Sequence, residues 1–233
     1  MTGELSGPPV ADPLDAKALA LAGRAVGLRV VVLAETGSTN ADVAARARAG
    51  EPAGLVLVAE RQSAGRGRLD RAWVSPPGAG LTVSLLARPR ASGPGAAHAG
   101  LLGWVPMVAG TALVTTLRDH YGVPAWLKWP NDVQVEGAKL AGILVELVPA
   151  QTGPPGLVIG FGLNVHTAAA KLPPGGTSLA VLAAQGIGAA VPAAAGGASA
   201  APGRTELLAA LLKGLAGALA AFDADPAAAR PAY

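Results

Sequence analysis

The sequence predicts an α+β domain, a mixed, largely antiparallel sheet with helices packed on it. Two observations carry this: β-prone runs follow one another across short turns, and helical segments arrive in separate blocks rather than after every strand. Size and composition agree. A chain of 233 residues can bury one sizeable core, and 51% hydrophobic with only 14% charged residues is far from the composition of a disordered chain.

Residues 1–28 are rich in Pro, Ala and Gly before turning weakly helical, and read as a tail. The first strand is expected at 29–34, followed by a helix at 39–49 that ends at Gly50, a strand at 55–59, a Gly/Arg loop and a strand at 81–87. A long helix over about 99–120 comes next. Its first 19 residues, 99–117, carry no Asp, Glu, Lys or Arg, close to a membrane-spanning length. Three glycines and Pro106 dilute that run, while Leu101, Val105, Val108 and Ala112 recur at helical spacing, so a buried core helix is expected.

A short strand at 126–129 precedes two β-prone runs, 133–135 and 139–147, separated by Glu136-Gly137-Ala138, the spacing of a hairpin with a Gly-bearing turn. Another strand falls at 157–165. Residues 186–203 are low in complexity and too poor in large side chains to pack. Beyond them Leu208, Leu211, Leu215, Leu219 and Phe222 form an apolar stripe at spacings of three and four, a closing helix. The expected organisation is a tail to 28, one domain over 29–223 with 186–203 as an insertion, and a remnant at 224–233.

Composition excludes several chemistries. With no cysteine there is no disulfide framework, thiolate nucleophile or Cys-containing zinc site. Three scattered histidines do not suggest a metal cluster. The N-terminus lacks the basic and apolar regions of a signal peptide, so a cytoplasmic location and no membrane partner are expected. The formal charge of +3 is less telling than its distribution: Arg61, Arg66, Arg68 and Arg71 fall in one window with Gly65 and Gly67.

That window, Arg61 to Arg71, follows a strand; its glycines let backbone N–H groups turn toward a ligand while the arginines supply positive charge. It fits a phosphate or carboxylate, and equally a solvated surface or a nonspecific nucleic-acid contact. Ser38 can cap the helix that follows Glu35-Thr36-Gly37, where free N–H groups attract an anion, or be a plain cap. Lys128-Trp129-Pro130-Asn131-Asp132 joins a cation to a carboxylate-amide pair able to share Mg²⁺ and phosphate oxygens, or is a structural turn. Lys139 enters an apolar strand and either snorkels or points at an anion. Gly160 and Gly162 let a flat ring approach the sheet, or mark a bulge.

In order along the chain, STN, QSAGRGR, KWPND, KLAGILVE and GFGLNV over residues 35–165 resemble the catalytic domain of biotin protein ligases. The resemblance implies the biotin/lipoate ligase fold, like that of class II aminoacyl-tRNA synthetases. It also implies an ATP-dependent ligase that makes biotinyl-5'-AMP and passes biotin to a lysine of the biotin carboxyl carrier protein of acetyl-CoA carboxylase. Ser38, Thr39, Asn40, Gln62, Gly65, Arg66, Gly67, Arg68 and Lys139 would contact biotin or its adenylate. Asn131, Asp132, Asn164 and Arg71 would serve ATP, with Asp132 holding Mg²⁺ and Arg66, Lys139 and Asp132 acting in catalysis. No base for the carrier lysine is identified, and a homodimer is left open.

Two departures from the family pattern stand out. Asp70 replaces a glycine in the arginine loop, which implies a stiffer loop, and the chain stops at Tyr233 before the small β-barrel-like domain with which members usually end. Residues 1–28 leave no room for the winged helix-turn-helix of repressor members, so no DNA binding is expected. The rivals are a lipoate-type ligase of the same fold, a non-catalytic biotin- or nucleotide-binding module, and a basic nucleic-acid-binding protein, which two Phe and two Tyr serve poorly.

Overall fold

A computed structural model describes residues 12–69, 71–88, 103–149, 155–188 and 201–226. Seven strands form one sheet: β1 (Arg29–Thr36), β2 (Leu55–Gln62), β3 (Gly80–Ala87), β4 (Trp126–Lys128), β5 (Asp132–Val135), β6 (Ala138–Val148) and β7 (Gly156–Asn164). Their order across the sheet is β1-β2-β3-β7-β6-β5-β4. Only β1 and β2 run parallel; every other pair is antiparallel. Parallel neighbours need a crossover, and α2 (Thr39–Arg48) supplies it.

The two faces of the sheet are covered unequally. On one lie α1 (Ala16–Ala25), α3 (Val105–Tyr121) and α5 (Arg204–Ala224), over a core that takes Val56 and Val58 from β2, Leu81, Val83 and Leu85 from β3, and Leu157, Ile159, Phe161 and Leu163 from β7. On the other, α2 alone covers a smaller cluster of Val43, Ala47, Leu57, Leu86, Val148 and Val158. Side chains alternate between faces along a strand. The α2 face therefore reads Thr82, Ser84, Leu86 on β3; Asn164, Gly162, Gly160, Val158 on β7; and Gly142, Leu144, Glu146, Val148 on β6. Under α2 these rows are apolar. Beyond its N-terminus they turn small and polar, and a hollow opens.

The β5–β6 hairpin turns through Glu136 and Gly137, both at positive φ (49° and 83°), the pair of conformations that matches the twist of the flanking strands. The segment expected as a tail contributes structure from Asp12 onward. Asp15 caps α1 by accepting from the Lys17 and Ala18 N–H groups, Leu19 is fully buried, and Leu14 is 8% exposed. The long helix begins at Val105, and residues 89–102, which include its expected start, lie outside the described residues, as do 189–200 of the low-complexity segment. A six-residue helix α4 (Leu179–Ala184) and a 3-10 turn at Ala169–Lys171 are too short to show a period in sequence.

The closing helix starts at Arg204, earlier than its apolar stripe. It is long and apolar enough to cross a membrane by composition; here Leu207, Leu208, Leu211, Leu212, Leu215 and Phe222 are buried against the core. Arg204 itself is fully buried. Its guanidinium forms an ion pair with Glu60 Oε2 at 2.7 Å and donates to the Gly80 carbonyl at 3.1 Å and to the Asp12 carbonyl, while its backbone N–H donates to the Asp12 carboxylate. His166 lies 3.0 Å from that carboxylate.

Candidate active site

The hollow beyond α2 is a cleft of about 720 Å³, within the range of small-molecule sites. Glycines open it. A Cβ at Gly162 would collide with the indole of Trp73, and one at Gly160 with the amide of Asn40. The alternating glycines thus do admit flat groups to the sheet, and those groups are the chain's own.

The floor is a buried polar network at the start of α2. Ser38 accepts from the Ala41 N–H at 3.5 Å as N-cap. Gln62 Oε1 accepts from the Thr39 N–H at 2.7 Å and from the Thr39 hydroxyl at 3.0 Å. Asn40 Oδ1 accepts from Ser84 at 2.6 Å, and Asn40 Nδ2 donates to Glu146 at 2.7 Å and to the Leu144 carbonyl at 3.3 Å. Of the two readings of Ser38, anion site or plain cap, this geometry favours the cap. Two N–H groups of the first turn are taken by side chains, and Asp42 adds negative charge there. A ligand can still use the Ser38 hydroxyl and the Gln62 amide nitrogen.

The arginine window forms a small hairpin above this floor. Arg66 and Ala72 pair as an antiparallel bridge, and the Gly67 N–H donates to the Arg71 carbonyl at 2.7 Å. Leu69 turns through a positive φ of 54°, and Asp70 lies outside the described residues. Arg66 Nη2 donates to Glu146 Oε2 at 2.9 Å, and Arg68 Nη1 to Asn131 Oδ1 at 3.3 Å.

Opposite the hairpin stand Asn131, Asp132 and Lys139. Asn131 is tied to β6 on both sides of its amide: Nδ2 donates to the Ile143 carbonyl, and its own carbonyl accepts from the Ile143 N–H, each at 2.9 Å. Lys139 Nζ lies 2.7 Å from Asp132 Oδ1. That contact is held by charge rather than by a well-directed hydrogen bond, and the buried Oδ1 has no hydrogen-bond partner among the described residues. The lysine curls over Gly142 and places its ammonium 6.0 Å from the Trp73 ring, in reach of a cation–π attraction. Asn164 spends its Nδ2 on the Thr177 carbonyl at 3.0 Å, which leaves its Oδ1 for a ligand.

Of the residues singled out from sequence, all but Gly65 line this one cleft. Gly65 is buried behind the wall, where a Cβ would strike the Trp73 carbonyl and the Gln62 amide, and its carbonyl accepts from the Trp73 N–H at 2.9 Å. Three residues were missed. Trp73 lies two beyond the last arginine of the window, and its buried Nε1 has no hydrogen-bond partner among the described residues; its place after a Gly/Arg loop in a chain of 3% aromatics was the available signal. Ser84 carried none, since its partner is 44 residues away, and Glu146 closes the KLAGILVE block with no local sign of its pairing with Arg66, 80 residues away.

Comparison with known proteins agrees with this arrangement. A profile described as "Biotin/lipoate A/B protein ligase family" matches residues 34–164. A biotin–[acetyl-CoA-carboxylase] ligase of Mycobacterium tuberculosis is 42% identical over 174 residues, covering 72% of this chain and 62% of the relative. One of Paracoccus denitrificans is 37% identical over 150 residues, covering 63% and 59%. The chain thus spans roughly three fifths of these relatives' length. Among solved structures, the biotin protein ligase from Aquifex aeolicus in complex with biotin and ATP superposes with a TM-score of 0.63 at 28% identity, over 84% of this chain and 72% of that one. Apart from Val165 the five sequence blocks lie within the matched region, as does most of the cleft lining, and the chain belongs to the biotin/lipoate A/B protein ligase family.

Proposed function

We propose that this chain joins the carboxylate of biotin to the α-phosphate of ATP, releasing pyrophosphate, and passes the biotinyl group from the mixed anhydride to a lysine of a biotin carboxyl carrier protein in the cytoplasm. The observation that carries this reading is the convergence of Arg68, Lys139, Asn131 and Asp132 on one glycine-floored cleft. The relatives named as biotin–[acetyl-CoA-carboxylase] ligases support the choice of acid.

The first step brings two anions together, so positive charge fixed where the reacting oxygens meet supplies most of the stabilisation. Lys139 and Arg68 are placed for it, each now resting on an acidic or amide partner that an entering anion can displace. The Ser38 hydroxyl and the Gln62 amide nitrogen suit a polar ring at the closed end. Arg66, Gly67 and Arg71 belong to the hairpin over the adenylate, and Asn164 and Arg71 to the nucleotide. The hairpin excludes water from the labile anhydride.

Asp132 is the group that would hold Mg²⁺. Its buried, undirected Oδ1 fits an ion usually held by one or two carboxylates plus substrate phosphates. When bound, the ion neutralises phosphate charge. Among the described residues no cluster of three acidic or histidine side chains offers a self-sufficient cage. In the second step the carrier lysine attacks the biotinyl carbonyl as a neutral amine and AMP leaves.

Incubation with biotin, Mg-ATP and a carrier domain, followed by intact-mass analysis, tests the whole sequence. A shift of one biotinyl group on the carrier is expected. Transfer of lipoate in place of biotin would establish the sister activity instead, and nucleotide binding with neither adenylate nor transfer would establish a non-catalytic module.

A further inference from the structure

We propose that Glu146 is the anchor of a latch, holding the arginine hairpin to the floor of the cleft through Arg66 so that the adenylate is retained. The proposal deepens the reading above and rests on it for the identity of the retained compound.

Glu146 sits on the α2 face of β6, between Leu144 and the apolar end of that row. A single oxygen, Oε2, accepts from Asn40 Nδ2 at 2.7 Å and from Arg66 Nη2 at 2.9 Å. Those donors come from opposite sides of the site. Asn40 is 5% exposed and braced by Ser84 and the Leu144 carbonyl, so it belongs to the rigid floor. Arg66 is the first residue of the hairpin, joined to the body through Gly65 and followed by Gly67. One carboxylate therefore ties the hairpin to the floor beneath it.

An ordinary surface ion pair contributes little because its partners are free to separate. Here the carboxylate is oriented in advance by the floor amide. Its side chain is 29% exposed, against 47% for that of Arg66, so the cation comes to a fixed acceptor and little ordering remains to be done. Arg66 then acts as a positioning residue: its guanidinium is engaged by Glu146, while Arg68 and Lys139 face the reacting anions.

A double-mutant cycle on the full chain tests this, using Arg66→Ala, Glu146→Ala and the pair together. Two quantities are read: the single-turnover rate of pyrophosphate release at saturating biotin and ATP, and the rate at which preformed biotinyl-adenylate escapes. Escape is expected to rise about tenfold in each single variant and no further in the double, because either change opens the same latch, and in Glu146→Ala pyrophosphate release is expected to stay within about threefold of wild type. Glu146→Gln keeps an acceptor for Asn40 but removes the charge, and is expected to raise escape with an unchanged melting temperature.

If Arg66→Ala slows pyrophosphate release a hundredfold while Glu146→Ala leaves it intact, Arg66 faces the developing charge and the latch is wrong. Additive effects on escape would overturn it equally. Failure of the wild type to form any adenylate would instead remove the reading of the reaction. The latch is then tested alone by trypsin, which must cut the unliganded hairpin faster in Glu146→Gln than in wild type; equal rates overturn it.

Discussion

Arg204 and Lys139 are both cations held by carboxylates, in opposite settings. Arg204 is fully buried among Glu60, the Gly80 carbonyl and both the carbonyl and carboxylate of Asp12. Lys139 has a side chain 36% exposed and one acidic partner, Asp132. A fully buried guanidinium hemmed in by a carboxylate and backbone carbonyls has nowhere to move and gains nothing from a newcomer. A half-exposed ammonium on a flexible stem can exchange one anion for another. The molecule puts its structural charge where water is absent and its working charge where partners can change.

The sharpest way to break that contrast is Arg204→Ala. It strands Glu60, which is only 13% exposed, and removing one member of a buried pair costs about 3–5 kcal/mol. Urea denaturation should show a loss of that size, and a loss under about 1 kcal/mol would mean that water had replaced the side chain. Lys139→Ala should invert the pattern. Stability measured the same way changes by less than about 1 kcal/mol, whereas biotin-dependent pyrophosphate release falls by about 10²–10³, the usual cost of removing one group aimed at developing charge. Unchanged release would take Lys139 out of the chemistry.

The smallest expected effect is that of pH on the buried cluster. Burial pushes the Asp12 carboxyl upward, but the backbone N–H of Arg204, the hydrogen bond with His166 and the charges of both side chains outweigh it, and its pKa lies below the ordinary 3.8. A depressed carboxyl contributes stability that is complete above its unfolded pKa and is lost as pH falls through the folded value. The contribution should therefore be intact at neutral pH and disappear below about pH 4. Asp12→Asn should flatten that part of the acid limb, and an acid limb identical to wild type would assign the loss to other carboxylates.

Much of this architecture was legible in the sequence because its strands announce themselves. β2, β3 and β7 are apolar runs bounded by turn residues, and the glycine of the β5–β6 turn stands where a left-handed residue is needed. The helix α1 was not legible as part of the core. Its one large buried side chain is Leu19, and its attachment depends on that residue reaching a surface made by later segments. For the site, the blocks identified the cleft-lining residues but not their employment. Asn40 and Gln62 read as ligand contacts, and the structure spends most of their hydrogen-bonding capacity on Ser84, Glu146 and Thr39. Pairings across 80 residues leave no trace in local spacing.

The hydrogen bonds between Asp12 and Arg204 close a loop of 192 positions. During synthesis the segment around Asp12 must wait, its leucines unsheltered, until the helix that begins 192 positions later has left the ribosome and can receive it. Contacts so distant along the chain slow the search for the native state. The docking of these two distant segments is thus a step at which a nascent copy is exposed to capture by chaperones or proteases.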